Sequence, residues 1–178
     1  MIWRILKIIF LTVLVLLSFL ASGCGSHFSP AGEHIDKGLQ TVFVDNFSNK
    51  TSEANIENYF RNSFIGQFSK GSRFKLVNRK DLADTVFKGS INSIATPHLS
   101  YSETKLAKEN RVIVTMEVVF EVRETKDIIW ANENLSGKED YMVDESNPNT
   151  TETNRKNALK QLADDMAEKT YRYITSGF

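Results

Sequence analysis

The chain has 178 residues, with 22 Lys+Arg against 22 Asp+Glu, 41% hydrophobic residues and one cysteine. That length makes one domain with a core of its own, and the balanced charge argues against nucleic acid as a partner. A single cysteine excludes a disulfide framework and a cysteine-built metal site.

The N-terminus opens with Arg4 and Lys7, followed by an apolar run from Ile8 to Leu20 that only Thr12 and Ser18 interrupt. A basic start, an apolar centre and the small residues Ala21-Ser22-Gly23 are the three parts of a secretory signal, here residues 1–23. The run is short for a membrane span, which takes about 20 apolar residues. Cys24 stands immediately after the small residues. Leu20-Ala21-Ser22-Gly23-Cys24-Gly25 resembles a bacterial lipoprotein lipobox, with Ala21 where Leu is usual, three places before the cysteine. The resemblance implies that Cys24 becomes the mature N-terminus and carries S-diacylglycerol and N-acyl lipid; no other cofactor is expected. Gly25, in place of the Asp that would mark inner-membrane retention, implies an outer-membrane anchor facing the periplasm. Three acyl chains hold firmly where a single chain binds only marginally. Loss of Arg4 and Lys7 with the signal leaves the mature chain two charges on the acidic side.

Residues 24–38 read as the lipidated N-terminus and a tether, and residues 39–178 as the folded domain. Gln40 to Asp45 is rich in β-formers and nearly continuous in apolar character, which predicts a strand buried on both faces. Asn46 to Lys50 predicts a turn, with Thr51 or Ser52 as helix cap and Glu53 in the first turn. Ile56, Phe60, Phe64 and Phe68 recur every four residues, with Tyr59 and Ile65 widening the stripe. This is one apolar face of a helix of roughly 18 residues, ended by Lys70-Gly71-Ser72. A short strand at Phe74–Val77 follows, then a turn at Asp81–Asp84. Thr85 to Ile94 predicts a strand, with Gly89 at a bulge or a close backbone approach, and Pro97 interrupts the pattern near its end.

Tyr101 to Asn110 is charged and predicts a flexible stretch. From Arg111 to Glu124 the pattern alternates. Val112, Val114, Met116, Val118, Phe120 and Val122 point one way, while Thr115, Glu117, Glu121 and Arg123 lie on a wet face. Thr125-Lys126-Asp127 turns the chain into a partner strand running from Ile128 to Val143. Asp144 to Thr151 reads as a polar loop. From Glu152 onward Leu159, Leu162, Ala163, Met166, Thr170, Tyr173 and Ile174 mark a second amphipathic helix. The fold class is α+β: a two-layer sandwich with two helices on one face of a mostly antiparallel four- or five-stranded sheet.

No catalytic constellation emerges. His27 and His34 lie in the tether and His98 beside Pro97, none with a carboxylate at ligand spacing. Asp81/Asp84 reads as turn chemistry and Asp164/Asp165 as the polar side of a helix; no nucleophile elbow or phosphate-binding loop occurs. Two basic clusters stand out. Lys105, Lys108 and Arg111 lie at the base and tip of the long hairpin. Arg155, Lys156 and Lys160 open the final helix. A basic loop between strands suits phosphate groups, and equally a solvated turn that blunts a sheet edge.

The ordered set of motifs resembles the LptE family of lipopolysaccharide-assembly lipoproteins. Its parts are the strand leading into Val44-Asp45-Asn46-Phe47-Ser48-Asn49-Lys50-Thr51, the amphipathic helix, Phe74-Lys75-Leu76-Val77, and Ala83-Asp84-Thr85-Val86-Phe87-Lys88-Gly89-Ser90-Ile91. The alternating Val/Met strand, Ile129-Trp130 and a closing helix ending in Phe178 complete it. The resemblance spans nearly the whole mature chain and implies a protein that is not an enzyme. Such a protein plugs and helps assemble the LptD β-barrel of the outer membrane and binds lipopolysaccharide during its insertion. It implies lipopolysaccharide contacts in the long hairpin, for which Lys105, Lys108 and Arg111 are the candidates, and near the loop before the last helix. Val44 to Thr51 before a helix also resembles the opening of CsgG-like and LpoB-like lipoproteins, which form secretion pores or activate cell-wall synthases.

Overall fold

The computed structural model describes Trp3 and residues 35–97 and 108–176. The expectations for Cys24, the signal, the histidines and Lys105 lie outside the described residues.

Among residues 35–97 and 108–176 six strands and two α-helices follow in the order β1 (Thr41–Val44), β2 (Ser48–Asn49), α1 (Ile56–Lys70), β3 (Lys75–Leu76), β4 (Thr85–Ala95), β5 (Lys108–Val122), β6 (Ile128–Val143) and α2 (Pro148–Ser176), with a 3-10 turn at Lys80–Leu82. The sheet runs β3-β1-β4-β5-β6, with β2 beside β4. It is an α+β layer of helices on a sheet, as the pattern predicts, but the sheet is mixed. β1 is parallel to both β3 and β4, and β2 is parallel to β4; only β4-β5-β6 is antiparallel. The reason is connectivity. With α1 inserted after β1 and β2, the chain crosses over the sheet and returns in the same direction, as parallel strands require.

In α1 the predicted stripe is the buried one: Ile56, Phe60, Phe64 and Phe68 are all in the core. The helix starts later than a Thr51 or Ser52 cap would place it. Asn55 precedes it at φ 65, in the left-handed region that Asn tolerates, and the Thr51 hydroxyl instead accepts the Glu53 N–H at 3.2 Å. The predicted turn at Asn46–Lys50 contains β2, whose Ser48 and Asn49 pair with Ser90 and Ile91. β1 is buried on one face through Val42 and Val44, while Thr41 and Phe43 are half-buried.

Aromatic rings join the layers. Phe64 and Phe87 lie 4.6 Å apart between centroids, Phe74 and Phe120 5.2 Å, and Phe68 meets Tyr171 of α2 edge-on at 5.4 Å. Gly89 serves as a close approach: a Cβ there would lie 2.6 Å from the Phe47 ring. The irregularity in β4 falls further on, between Ile91 and Ser93.

Val112, Val114, Met116, Val118 and Phe120 of β5 fill the core as the alternation predicts. Glu121 lies on the face away from the core, as the alternation predicts, yet is covered there, being only 6% exposed. It stands opposite Val86, so Lys88, two residues on, is its diagonal neighbour. Lys88 Nζ comes within 2.7 Å of the carboxylate and Lys126 Nζ within 3.5 Å, covering it. The strand pairing also shifts register between Phe120 and Glu121, and Val122 is only half-buried.

α2 begins before the Glu152 that the apolar period marks. Asn147 Oδ1 accepts the N–H groups of Asn149 at 3.1 Å and Thr150 at 3.3 Å, with Pro148 at the first helical position. Its buried face runs through Leu159, Leu162, Ala163, Met166, Thr170 and Ile174, with Tyr171 rather than Tyr173 in the core.

Candidate functional site

The hairpin formed by β4 and β5 is pinned beside its connection, where the Arg111 N–H donates to the Pro97 carbonyl at 3.3 Å. β5 extends further toward the loop than the charged composition of 101–110 suggests, because Lys108, Glu109 and Asn110 pair with Val143, Met142 and Tyr141. Lys108 therefore opens a strand, while Lys105 lies outside the described residues.

Arg111 stands directly opposite Asp140 on β6. The fork is bidentate: Nε to Oδ1 at 2.6 Å and Nη2 to Oδ2 at 2.8 Å. Donation from Arg111 holds the Asp140 carboxyl below its usual range and raises the guanidinium further. The surroundings are acidic. Glu109, Glu139 and Asp140 share a groove of ≈ 480 Å³ with Tyr141, Met142, Asn154, Asn157, Ala158 and Gln161, between the end of β6 and the first half of α2. On the described side an anion here would meet these carboxylates beside the Arg111 donors that Asp140 leaves unused.

The second basic cluster is already engaged with the fold. Arg155 does not open the helix, since α2 starts at Pro148; it forks onto Glu53 at 2.9 and 2.7 Å. This part-buried pair clamps α2 to the segment entering α1, and donation from Arg155 holds Glu53 below its usual range. Lys156 Nζ lies 3.6 Å from Glu152, and Lys160 Nζ 5.8 Å above the Tyr59 ring.

The two carboxylate pairs also resolve into structural roles. Ser63 donates to Asp164 across the α1–α2 groove, and Gln161 to Asp165. Asp84 is more than turn chemistry. Its Oδ2 accepts Gln40 N–H at 2.9 Å, Thr41 N–H at 2.8 Å and the Thr41 hydroxyl at 2.7 Å, while Thr41 Oγ1 accepts Asp84 N–H at 2.8 Å. Sequence spacing offers no signal for this staple, because its partners are more than forty positions apart. Among the described residues no group of His, Cys, Asp and Glu is placed to hold a metal ion, and no helix is long and apolar enough to cross a membrane.

The LptE sequence profile, described as lipopolysaccharide-assembly, matches residues 39–174. No curated protein sequence matches the chain. Among solved structures, the chain is similar to the solution structure of lipoprotein B from Nitrosomonas europaea, with a TM-score of 0.52 and 11% identity over 77% of this chain and 83% of that one. It is also similar to a lipoprotein from Caulobacter crescentus, at a TM-score of 0.49 and 9% identity over 72% and 87%. The PelC dodecamer from Paraburkholderia phytofirmans gives a TM-score of 0.47 and 10% identity over 83% and 94%. At such identities only the first likeness bears on the argument, and it bears on the fold. The profile match runs from just before β1 to the last turns of α2, taking in both helices and the whole sheet. This chain belongs to the LptE family of lipopolysaccharide-assembly proteins.

Proposed function

We propose that the protein is an outer-membrane lipoprotein, held on the periplasmic side by lipid on Cys24. It plugs an LptD-like β-barrel, helps that barrel assemble and binds lipopolysaccharide on its way to the outer leaflet. The observation that carries this reading is the family match over residues 39–174. The layered fold is consistent with a plug. Both helices pack on one face of the sheet, and the other face presents half-buried or exposed Ile113, Thr115, Val119, Ala131 and Ile128 to a neighbouring wall.

Lys105, Lys108 and Arg111 are the proposed contacts to the phosphates of lipid A or the core. A guanidinium has five N–H donors and Asp140 takes two of them, so the same pair that neutralises Arg111 also fixes where its remaining donors sit.

The test is a pull-down of tagged mature protein from detergent-solubilised outer membranes. A large β-barrel recovered in near-equal amount is the expected result; a cell-wall synthase, or a homo-oligomeric ring without a barrel, overturns the plug. Lipopolysaccharide binding is read separately. Lys105→Glu with Lys108→Glu should weaken it about a hundredfold, and independently Arg111→Gln about tenfold, at about tenfold for each charge-assisted contact. Unchanged binding in both variants removes the hairpin from the lipid site.

A further inference from the structure

One end of the described domain carries an open basic depression. β1 and β3 begin side by side, with Thr41 paired to Lys75, and α2 finishes at the same end, where the Tyr171 hydroxyl accepts Arg73 N–H at 3.2 Å. Here an open depression of ≈ 360 Å³ is lined by Lys37, Gln40, Ser72, Arg73 and Lys75. Three of these five residues are cations and none is a carboxylate. Arg73 is fixed by neutral partners: it donates to the Leu39 carbonyl at 2.9 Å and the Asp36 carbonyl at 3.1 Å, with its guanidinium 4.6 Å above the Phe74 ring. Its charge is oriented without being cancelled. Lys37 and Lys75 are exposed. The carboxylate of Asp36 accepts Gly38 N–H within its own turn. At the other end of the sheet Glu109, Glu139, Asp140 and Asp144 stand among the cations Arg111, Lys138 and Lys156, with Arg111 forked onto Asp140.

The basic end is also the end at which the N-terminal segment joins the fold, since Ile35 to Gln40 leads directly into β1. The stretch from Cys24 to Ile35, at about 3.5 Å per residue, reaches at most about 40 Å. A lipid on Cys24 would hold this end within that distance of a bilayer while leaving its orientation open. We propose that the depression of Lys37, Arg73 and Lys75 receives phosphate headgroups of an anionic phospholipid surface. It would seat the domain on the membrane with this end inward. The inference rests on the reading of Cys24 as the lipid anchor, and charge complementarity selects the occupant: juxtamembrane cations gain from anionic lipid within a Debye length.

The experiment uses the lipid-free mature chain carrying Cys24→Ser, so that any binding comes from the protein surface. Co-sedimentation with phosphatidylcholine vesicles is compared with the same vesicles containing phosphatidylglycerol. Preference for the anionic vesicles is expected, falling as sodium chloride rises. Lys37→Gln with Lys75→Gln should reduce it about twenty-five-fold, at about fivefold per lysine. Both side chains are exposed, and Arg73 keeps its carbonyl bonds, so the fold is retained. Lys138→Gln with Lys156→Gln makes the same change in net charge at the other end of the sheet and should leave binding nearly unchanged.

Equal loss in the two double variants, or no preference for anionic vesicles, overturns the proposal. Displacement by inorganic phosphate beyond that by sodium chloride of matched ionic strength also overturns it, in favour of a free-phosphate site. Failure of the anchor reading shows elsewhere, as a wild-type mass lacking the lipid on Cys24.

Discussion

Asp84 spends its carboxylate on backbone and hydroxyl donors that the chain supplies from far away. Two N–H groups and one hydroxyl converge on a single oxygen, tying the first residues of β1 to the start of β4. The Thr41 hydroxyl and the N–H groups of Gln40 and Thr41 favour the charged form, so the folded-state pKa lies below the ordinary carboxylate value. A carboxyl depressed on folding contributes stability that is fully present above its unfolded pKa and is lost as pH falls through the folded one. The staple therefore operates in full at neutral pH and weakens progressively as pH falls below about 4, the unfolded value. Asp84→Ala should lower unfolding free energy by about 1–2 kcal/mol at pH 7, read as an earlier urea midpoint. The gap between variant and wild type should narrow on acidification. A gap that does not narrow at all between pH 7 and pH 3 would mean that Asp84 acts through something other than its charge.

At the scale of elements, the helix–sheet contact depends on an absence of side chain. A Cβ on Gly137 of β6 would lie 2.7 Å from Leu162 Cδ1 and from Met166 Sδ of α2. Gly137→Val should push the ends of the Leu162 and Met166 side chains aside and cost about 1–3 kcal/mol by overpacking, read as an earlier urea midpoint with helix content retained. The start of the same helix is a separate, milder test. Asn147→Ala removes the acceptor for two orphan N–H groups and should cost about 1 kcal/mol in urea unfolding.

These elements also show what the residues disclose in advance. The four-residue spacing of Ile56, Phe60, Phe64 and Phe68 and the two-residue spacing from Val112 to Phe120 belong to one element each, so periodicity finds them. Asn147-Pro148 is a cap signature, yet it lies outside the apolar period and is passed over when the period alone sets the helix start. Glu121 and Arg155 carry no local mark at all. Their burial is decided by Lys88 across the strand and by Glu53 more than a hundred positions away. The candidate site divides in the same way: the sequence supplies three cations in one stretch, and only strand register reveals that Arg111 faces Asp140.

The molecule as a whole is one-sided, and that asymmetry is what a plug would use. Helices α1 and α2 seal one face of the sheet, and the long edge strand β6 leaves Ile128 65% and Met142 45% exposed. An isolated exposed apolar residue has no special meaning. The uncovered face gathers several, however, with Ile113, Val119 and Ala131 in register across β5 and β6. If that face lies against the barrel wall, a charge placed on it should break the complex without harming the domain. Ile128→Asp should leave the urea midpoint nearly unchanged, since exposed substitutions move stability by about 0.5 kcal/mol or less, while sharply reducing the barrel recovered in the pull-down. Gln161→Asp, on the helical side, makes the same change in charge and should leave recovery intact. The reverse ranking would turn the molecule around, placing the helices and not the open face of the sheet against the barrel.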